Sequence, residues 1–188
     1  MLFVICAPSG AGKTSLIKEI FKIFPFLSFS VSATTRKMRK GEQNGVDYYF
    51  IAKEDFRKRI DNNEFVEWEV VYEDYYGTLK REIEKSLNEE KDLVLEVEVK
   101  GALNIKKLYP ESISIFINAP KDELIARLRK RNTESEEELK RRIERMEMEF
   151  GLKDRFDYTV TNESTVDGFS KAVKQLKKII CELKNIKQ

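Results

Sequence analysis

One stretch constrains the fold more than any other: "LFVICAPSGAGKTSLIKEIFKIF", from Leu2 to Phe24. It opens with a continuous apolar run, LFVICA, as in a strand covered on both faces in a parallel sheet. A turn of small residues follows. Then Leu16, Ile17, Ile20, Phe21 and Phe24 recur at helical spacing, and Pro25 stops the helix. The turn carries Gly10, Gly12, Lys13 and Thr14, which fit the pattern G-x-x-x-x-G-K-[ST] except that Ala7 fills its first position. Successive backbone N–H groups at such a helix start converge on an anion, and the helix dipole adds to them. The glycines open torsions closed to other residues. Lys13 can reach outer phosphates, and the Thr14 hydroxyl can reach Mg2+. Ala7, Pro8, Ser9, Gly10, Ala11, Gly12, Lys13 and Thr14 are therefore candidates to hold a polyphosphate. Ala7 is harmless at negative φ and costs roughly 1 kcal/mol in a left-handed conformation. The competing reading is an ordinary strand–turn–helix. Gly12-Lys13-Thr14 opening a helix directly after a buried strand favours the phosphate site.

Strand and helix alternate beyond the loop. DLVLEVEV from Asp92 reads as a strand and ALNIKKLY as a helix; SISIFINA as a strand and KDELIARLRKR as a helix. DYTVTN is a short strand. The C-terminal segment is a long helix with Phe169, Val173, Leu176, Ile180 and Leu183 on one face. This alternation predicts an α/β fold with a parallel sheet flanked by helices. Two regions break it. Residues from about 33 to 90 (DYYFI, EFVEWEVVY, DYYGTL) read as short strands of a mixed, partly antiparallel unit. The run NTESEEELKRRIERMEMEF is almost wholly charged, yet Leu139, Ile143, Met146 and Phe150 mark one helical stripe.

Composition excludes several chemistries. The 188 residues contain no histidine, which removes imidazole acid–base catalysis and histidine-ligated metal. Two cysteines make neither a zinc site nor a disulfide framework, and Cys6, in an apolar run, reads as a buried thiol. Charged residues reach 36%, above the usual ~25%, but the net charge is only +2. A general polyanion binder carries a larger excess, so no nucleic-acid partner is expected. No apolar stretch approaches the ~20 residues of a membrane span, and the apolar start is too short for a signal segment. A soluble cytoplasmic protein without a membrane partner is expected, as a monomer or small homo-oligomer.

Inside the mixed region, Arg36 and Arg39 lie close together with Tyr48 nearby. Two guanidiniums and a phenol suit a phosphate monoester; a solvated basic loop is the alternative. Glu67 sits between Val66 and Trp68 in a strand-like run. A carboxylate there can accept two hydrogen bonds from the N1–H and N2–H2 edge of guanine, a donor pair adenine lacks. A surface glutamate is the alternative.

Taken together, SVSATTR, GEQNGVDYYF, NNEFVEWEVV and YYGT, in that order after the loop, resemble the nucleotide region of the guanylate kinase family. RLRKRNTESEEELKRRI resembles the lid of that family and TVTN its last core strand, so the resemblance spans nearly the whole chain. It implies a P-loop kinase core at about 1–31, 91–126 and 157–188, a mixed α/β GMP-binding insertion at about 32–90 and a helical lid at about 127–156. It implies reversible transfer of the terminal phosphoryl group of Mg·ATP to GMP. By the same resemblance, the loop from Ala7 to Thr14 and Asn162 lie on the ATP side. Arg36, Arg39, Tyr48 and Tyr76 match positions for the GMP phosphate, and Ser32, Glu67 and Thr78 match guanine contacts. Lys13 and Arg39, with the lid arginines Arg131 and Arg142, carry the transferring phosphate, and Thr14 serves Mg2+. Such a reaction depends on positioning and spread positive charge, not on a strong base, so a chain without histidine can perform it.

The sequence departs from the family at Ala7, at Glu98, where aspartate is common near the guanine and the metal-bound phosphates, and at Lys100, where glutamine is common. Glu98 keeps the charge one methylene further out, so it stays among the GMP-side candidates. Lys100 pairs with Glu96 or Glu98 or faces solvent. Two rivals remain at this level: a guanylate-kinase-like module that holds a peptide without turnover, and a kinase for another nucleoside monophosphate.

Overall fold

The computed structural model describes residues 1–71, 73–130 and 136–186. Its elements run β1 (Leu2–Cys6), α1 (Lys13–Ile23), β2 (Ser28–Phe29), β3 (Ala33–Thr34), β4 (Tyr49–Phe50), α2 (Lys53–Asp61), β5 (Phe65–Val71), β6 (Asp74–Leu79) and α3 (Lys80–Asn88). They continue with β7 (Leu93–Val97), α4 (Val99–Leu108), β8 (Ile113–Asn118), α5 (Lys121–Lys130), α6 (Glu136–Phe150), β9 (Tyr158–Thr161) and α7 (Gly168–Leu183). One five-stranded sheet has the order β2-β7-β1-β8-β9, and a four-stranded sheet has the order β4-β3-β6-β5. The expected α/β architecture, a parallel sheet plus a mixed one, is present. Among the described residues, no helix is long and apolar enough to cross a membrane.

Every residue of β1 is buried, as its unbroken apolar run requires. The short strand β2 pairs in parallel with β7, Ser28 opposite Leu93 and Phe29 opposite Val94. The sequence analysis assigns no strand here, although Leu27, Phe29 and Val31 alternate with serines at the period of a strand. β7 ends at Val97, two residues short of the expected strand, because Glu98 becomes the N-cap of α4 and Val99 opens that helix.

The chain divides into two compact units. The first comprises Met1–Val4 and Phe26–Ile113. Within it the mixed sheet has its own core of Ala33, Phe56, Phe65 and Leu79, with Tyr49, Ile51, Ile60 and Tyr75 packed against it. Phe56 and Phe65 stack with ring centroids 4.3 Å apart. A Cβ on Gly77 of β6 would meet the Phe65 ring at 2.8 Å, so the glycine makes room for that stack.

The second unit comprises Ile5–Pro25 and Ser114–Gln188. In α1, Leu16, Ile17 and Ile20 are buried, and α1 packs against α7. The Asp157 carboxylate accepts the Ser114 N–H and hydroxyl, both at 2.7 Å, at the start of the parallel β8–β9 pair. Met146 is the fully buried residue of the α6 stripe. One expectation fails on α7. Its buried face carries Gly168, Ala172, Leu176, Ile180 and Cys181, while Phe169 is 40% exposed. The small residues Gly168 and Ala172 let this end of the helix sit close to its support, which turns Phe169 outward.

Candidate active site

The loop between β1 and α1 lies wholly in the second unit. Gly10 and Gly12 have φ of +89° and +85°, the left-handed region that favours glycine. Gly12 is also the N-cap of α1, and a Cβ there would lie 2.5 Å from Asn162 Nδ2. Ala7 is buried and does not have a positive φ, so its torsions need no glycine. The apparent defect in the motif therefore sits where the backbone does not exploit it. Lys13 and Thr14 open α1, with Thr14 on the exposed side of its first turn.

Asn162 follows β9 and is 5% exposed. Its Nδ2 donates to Ala11 O at 2.7 Å, and its N–H bonds Asn118 O at 2.8 Å. This side chain holds the loop directly. A second clasp escapes the sequence reading. Arg127 on α5 donates to Gly10 O at 3.2 Å, Asn162 O at 3.3 Å and Ser164 Oγ at 2.6 Å. Glu123, one turn earlier on α5, accepts from Arg127 at 3.2 Å and from Ser164 N at 2.6 Å. The i,i+4 spacing of Glu123 and Arg127 is visible in the sequence; their target, 117 residues from Arg127, is not. Arg142 lies half-buried on α6. Arg131 lies outside the described residues.

The first unit gathers Ser32, Arg36, Tyr48, Glu67, Tyr76, Thr78 and Glu98. Arg36 makes a two-pronged bond to Glu42, at 2.9 and 2.8 Å, and donates to Lys37 O at 2.7 Å. Its guanidinium lies over the Tyr48 ring at 5.4 Å and the Phe50 ring at 5.5 Å. Tyr48 and Tyr76 meet edge to face at 6.1 Å. Glu42 also accepts the Arg39 N–H at 2.7 Å, so one carboxylate orders the backbone of one arginine and the head of the other. The hydrogen bond from Arg36 holds the Glu42 carboxyl below its usual range. Burial first, with Glu96, Tyr76 and Glu98 adding to it, pushes the Tyr48 phenol well above its ordinary value, which keeps it a hydrogen-bond donor. Arg39 is exposed on its loop.

Glu67 is 8% exposed, so the surface-glutamate alternative is removed. A bulge explains its setting. Phe65 pairs with Leu79 but Glu67 pairs with Thr78, so two residues of β5 advance against one of β6. In uninterrupted register Glu67 would face Gly77. The shift gives it a hydroxyl instead: Thr78 Oγ1 donates to Glu67 Oε1 at 2.7 Å. Burial raises the Glu67 pKa to about 7, with Glu69 and Glu98 adding to the rise and the Thr78 hydrogen bonds opposing it. Ser32 is buried, and its carbonyl accepts the Tyr49 N–H at 2.9 Å. Glu98, the N-cap of α4, is close enough to act electrostatically on both Glu67 and Tyr48. Lys100, one residue into the helix, is exposed to solvent.

Residues 1–183 match the family model described as guanylate kinase. The chain belongs to the guanylate kinase family. It is 46% identical over 173 residues to the guanylate kinase of Thermotoga maritima, covering 92% of this chain and 84% of that one. It is 45% identical to that of Porphyromonas gingivalis over 96% of both chains. The crystal structure of guanylate kinase from Anaplasma phagocytophilum is similar with a TM-score of 0.74 at 25% identity, covering 97% of this chain and 85% of that one. Guanylate kinase membership thus agrees with the motif order read along the sequence.

Proposed function

We propose that the chain is an ATP:GMP phosphotransferase, a guanylate kinase that moves the terminal phosphoryl group of Mg·ATP to GMP and back. One observation carries the reading: the buried Glu67 carboxylate, set opposite Thr78 by a bulge, in the same compact unit as an Arg36–Tyr48–Tyr76 cluster. A buried carboxylate suits the two N–H donors of guanine, and the arginine–phenol cluster suits the phosphate of the same nucleotide. Together they match one molecule, GMP. A module that only holds a peptide has no need of Gly12-Lys13-Thr14 at a helix start.

In this reading the loop N–H groups from Ala7 to Thr14 and the Lys13 ammonium bind the ATP phosphates, and Asn162 and Arg127 hold the loop in shape. Arg36, Arg39, Tyr48 and Tyr76 fix the GMP phosphate. Ser32, Glu67, Thr78 and Glu98 read the base. Lys13, Arg39, Arg131 and Arg142 spread positive charge over the phosphoryl group in flight, where attacking and leaving oxygens lie in line. Arg131 takes its part from the resemblance alone.

The donor set fits Mg2+. Among the described residues no group of three or more acidic or thiol side chains could hold a metal, while Thr14 offers a hydroxyl at the phosphate loop. A hydroxyl oxygen of this kind is a hard ligand that Mg2+ accepts beside nucleotide phosphates and water. When bound, Mg2+ neutralises phosphate charge, and Thr14 would contribute its protein ligand.

The test is ADP release followed in a coupled assay with ATP and GMP. Turnover that depends on GMP is expected. A folded protein with no GMP-dependent release would overturn the reading.

A further inference from the structure

At Gly101 no torsion asks for a glycine. It lies in the first turn of α4, is buried and does not have a positive φ. Glycine is the poorest helix former after proline, so a helix position that merely needs a small residue is better served by alanine. What occupies the missing Cβ position is Glu67. An added methyl at Gly101 would collide with Glu67 Oε2 and lie 2.9 Å from its carboxyl carbon. α4 packs against β5 here, and both belong to the first unit.

We propose that Gly101 is a specificity-positioning residue: its bare backbone leaves the space in which the base-reading carboxylate of Glu67 rests. The inference rests on the GMP reading above and deepens it. Glu67 is confined on its other sides. Thr78 from β6 bonds Oε1, Glu69 on its own strand and Glu98 at the start of α4 repel it, and solvent is nearly excluded. The carboxylate is nevertheless the end of a flexible side chain. A methyl group at Gly101 therefore displaces it without forcing the backbone apart. Gly101→Ala is expected to fold, and to misplace the group that recognises guanine. Gly101 itself need not touch the nucleotide.

The distinguishing readout is a split between the two substrates, together with rescue. In steady-state kinetics Gly101→Ala raises KM for GMP about tenfold or more, the size expected when a hydrogen-bonding group is misplaced. It leaves KM for ATP within about twofold, because the phosphate loop is untouched. In a Glu67→Asp background, whose carboxylate is one methylene shorter, the methyl group is accommodated and the added effect of Gly101→Ala shrinks to about twofold or less. Should Gly101→Ala fail to fold, thermal melting of the double variant takes over: recovery of a cooperative transition in the Asp background supports the collision. An unchanged KM for GMP in Gly101→Ala, beside an active unsubstituted enzyme, overturns the inference alone. So does an equal penalty, in KM or in folding, in both backgrounds. An unsubstituted enzyme with no GMP turnover overturns the functional reading and takes this inference with it.

Discussion

The glycine loop and the side-chain cluster proposed to hold GMP are made of different materials. The loop is built from backbone: positive φ at Gly10 and Gly12, N–H groups at a helix start, and carbonyls clasped by Asn162 and Arg127. The proposed GMP side is built from side chains: Glu67 against Thr78, Arg36 against Glu42, phenols edge to face. Backbone recognition tolerates any side chain whose torsions fit, and Ala7, without a positive φ, meets that condition. Side-chain recognition tolerates little, because each group depends on a partner supplied by another segment. Phosphate looks much the same in every nucleotide, so the first device can be general. A base must be told from its rivals, so the second is specific.

That contrast can be broken in graded ways. The largest effect belongs to Lys13, the one side-chain charge the loop itself supplies. Lys13→Ala is expected to lower kcat by at least about a hundredfold, the scale of losing a donor to transition-state charge, with the melting temperature little changed. Near-normal turnover would remove Lys13 from the chemistry.

The next effect is in pH. With the Glu67 carboxyl at about 7, part of the free enzyme carries it protonated near neutrality. The protonated form presents a donor to the N–H edge of guanine and so binds it poorly. Affinity for GMP is therefore expected to rise as pH rises through about 7 and to level off above. One unit below that midpoint it falls about tenfold. The GMP phosphate also gains charge near pH 6, so the comparison is with Glu67→Gln, which keeps the phosphate contribution and loses the step near 7. Titrations of the two proteins that overlay would show that Glu67 does not bind as a carboxylate.

A smaller effect is expected at Glu42. Removing it frees Arg36 from its two-pronged partner and Arg39 from its backbone contact. Glu42→Ala should raise KM for GMP several-fold to about tenfold, as for loss of one charge-assisted contact, without changing KM for ATP. An equal rise for both substrates would point to general destabilisation. Smallest of all is Ala7→Gly, expected to leave both KM values within about twofold because Ala7 already has permitted torsions. A marked gain in ATP affinity would mean that the missing glycine matters after all.

The same contrast explains what could be read in the chain. The phosphate loop is local: strand, turn and helix follow one another in sequence, and the residue types state the torsions. β1, α1, β7, β8 and β9 follow from apolar runs and periodicity. Residue type and motif order mark Arg36, Tyr48 and Glu67 as candidates. Their partners were harder. Glu42 lies six residues beyond Arg36 and carries no periodic signal, and Thr78 reaches Glu67 only because a bulge shifts the register between β5 and β6. Arg127 meets the Gly10 carbonyl and Gly101 lies against the Glu67 carboxylate, and neither contact is expressed in a linear spacing. Phe169 faces outward, a turn not legible in the sequence, because helical periodicity marks a face without saying which side of a wide stripe meets the support.

In the proposed enzyme a side-chain carboxylate, not the phosphate machinery, chooses the substrate. The most direct measurement is the ratio of kcat/KM for GMP to that for AMP, taken side by side on the unsubstituted enzyme and on Glu67→Gln. A preference for GMP of about a thousandfold or more is expected, since AMP leaves a buried carboxylate without its donors, and a fall of that ratio by at least about tenfold in the variant, with KM for ATP unchanged. A ratio that is the same in both proteins would contradict it.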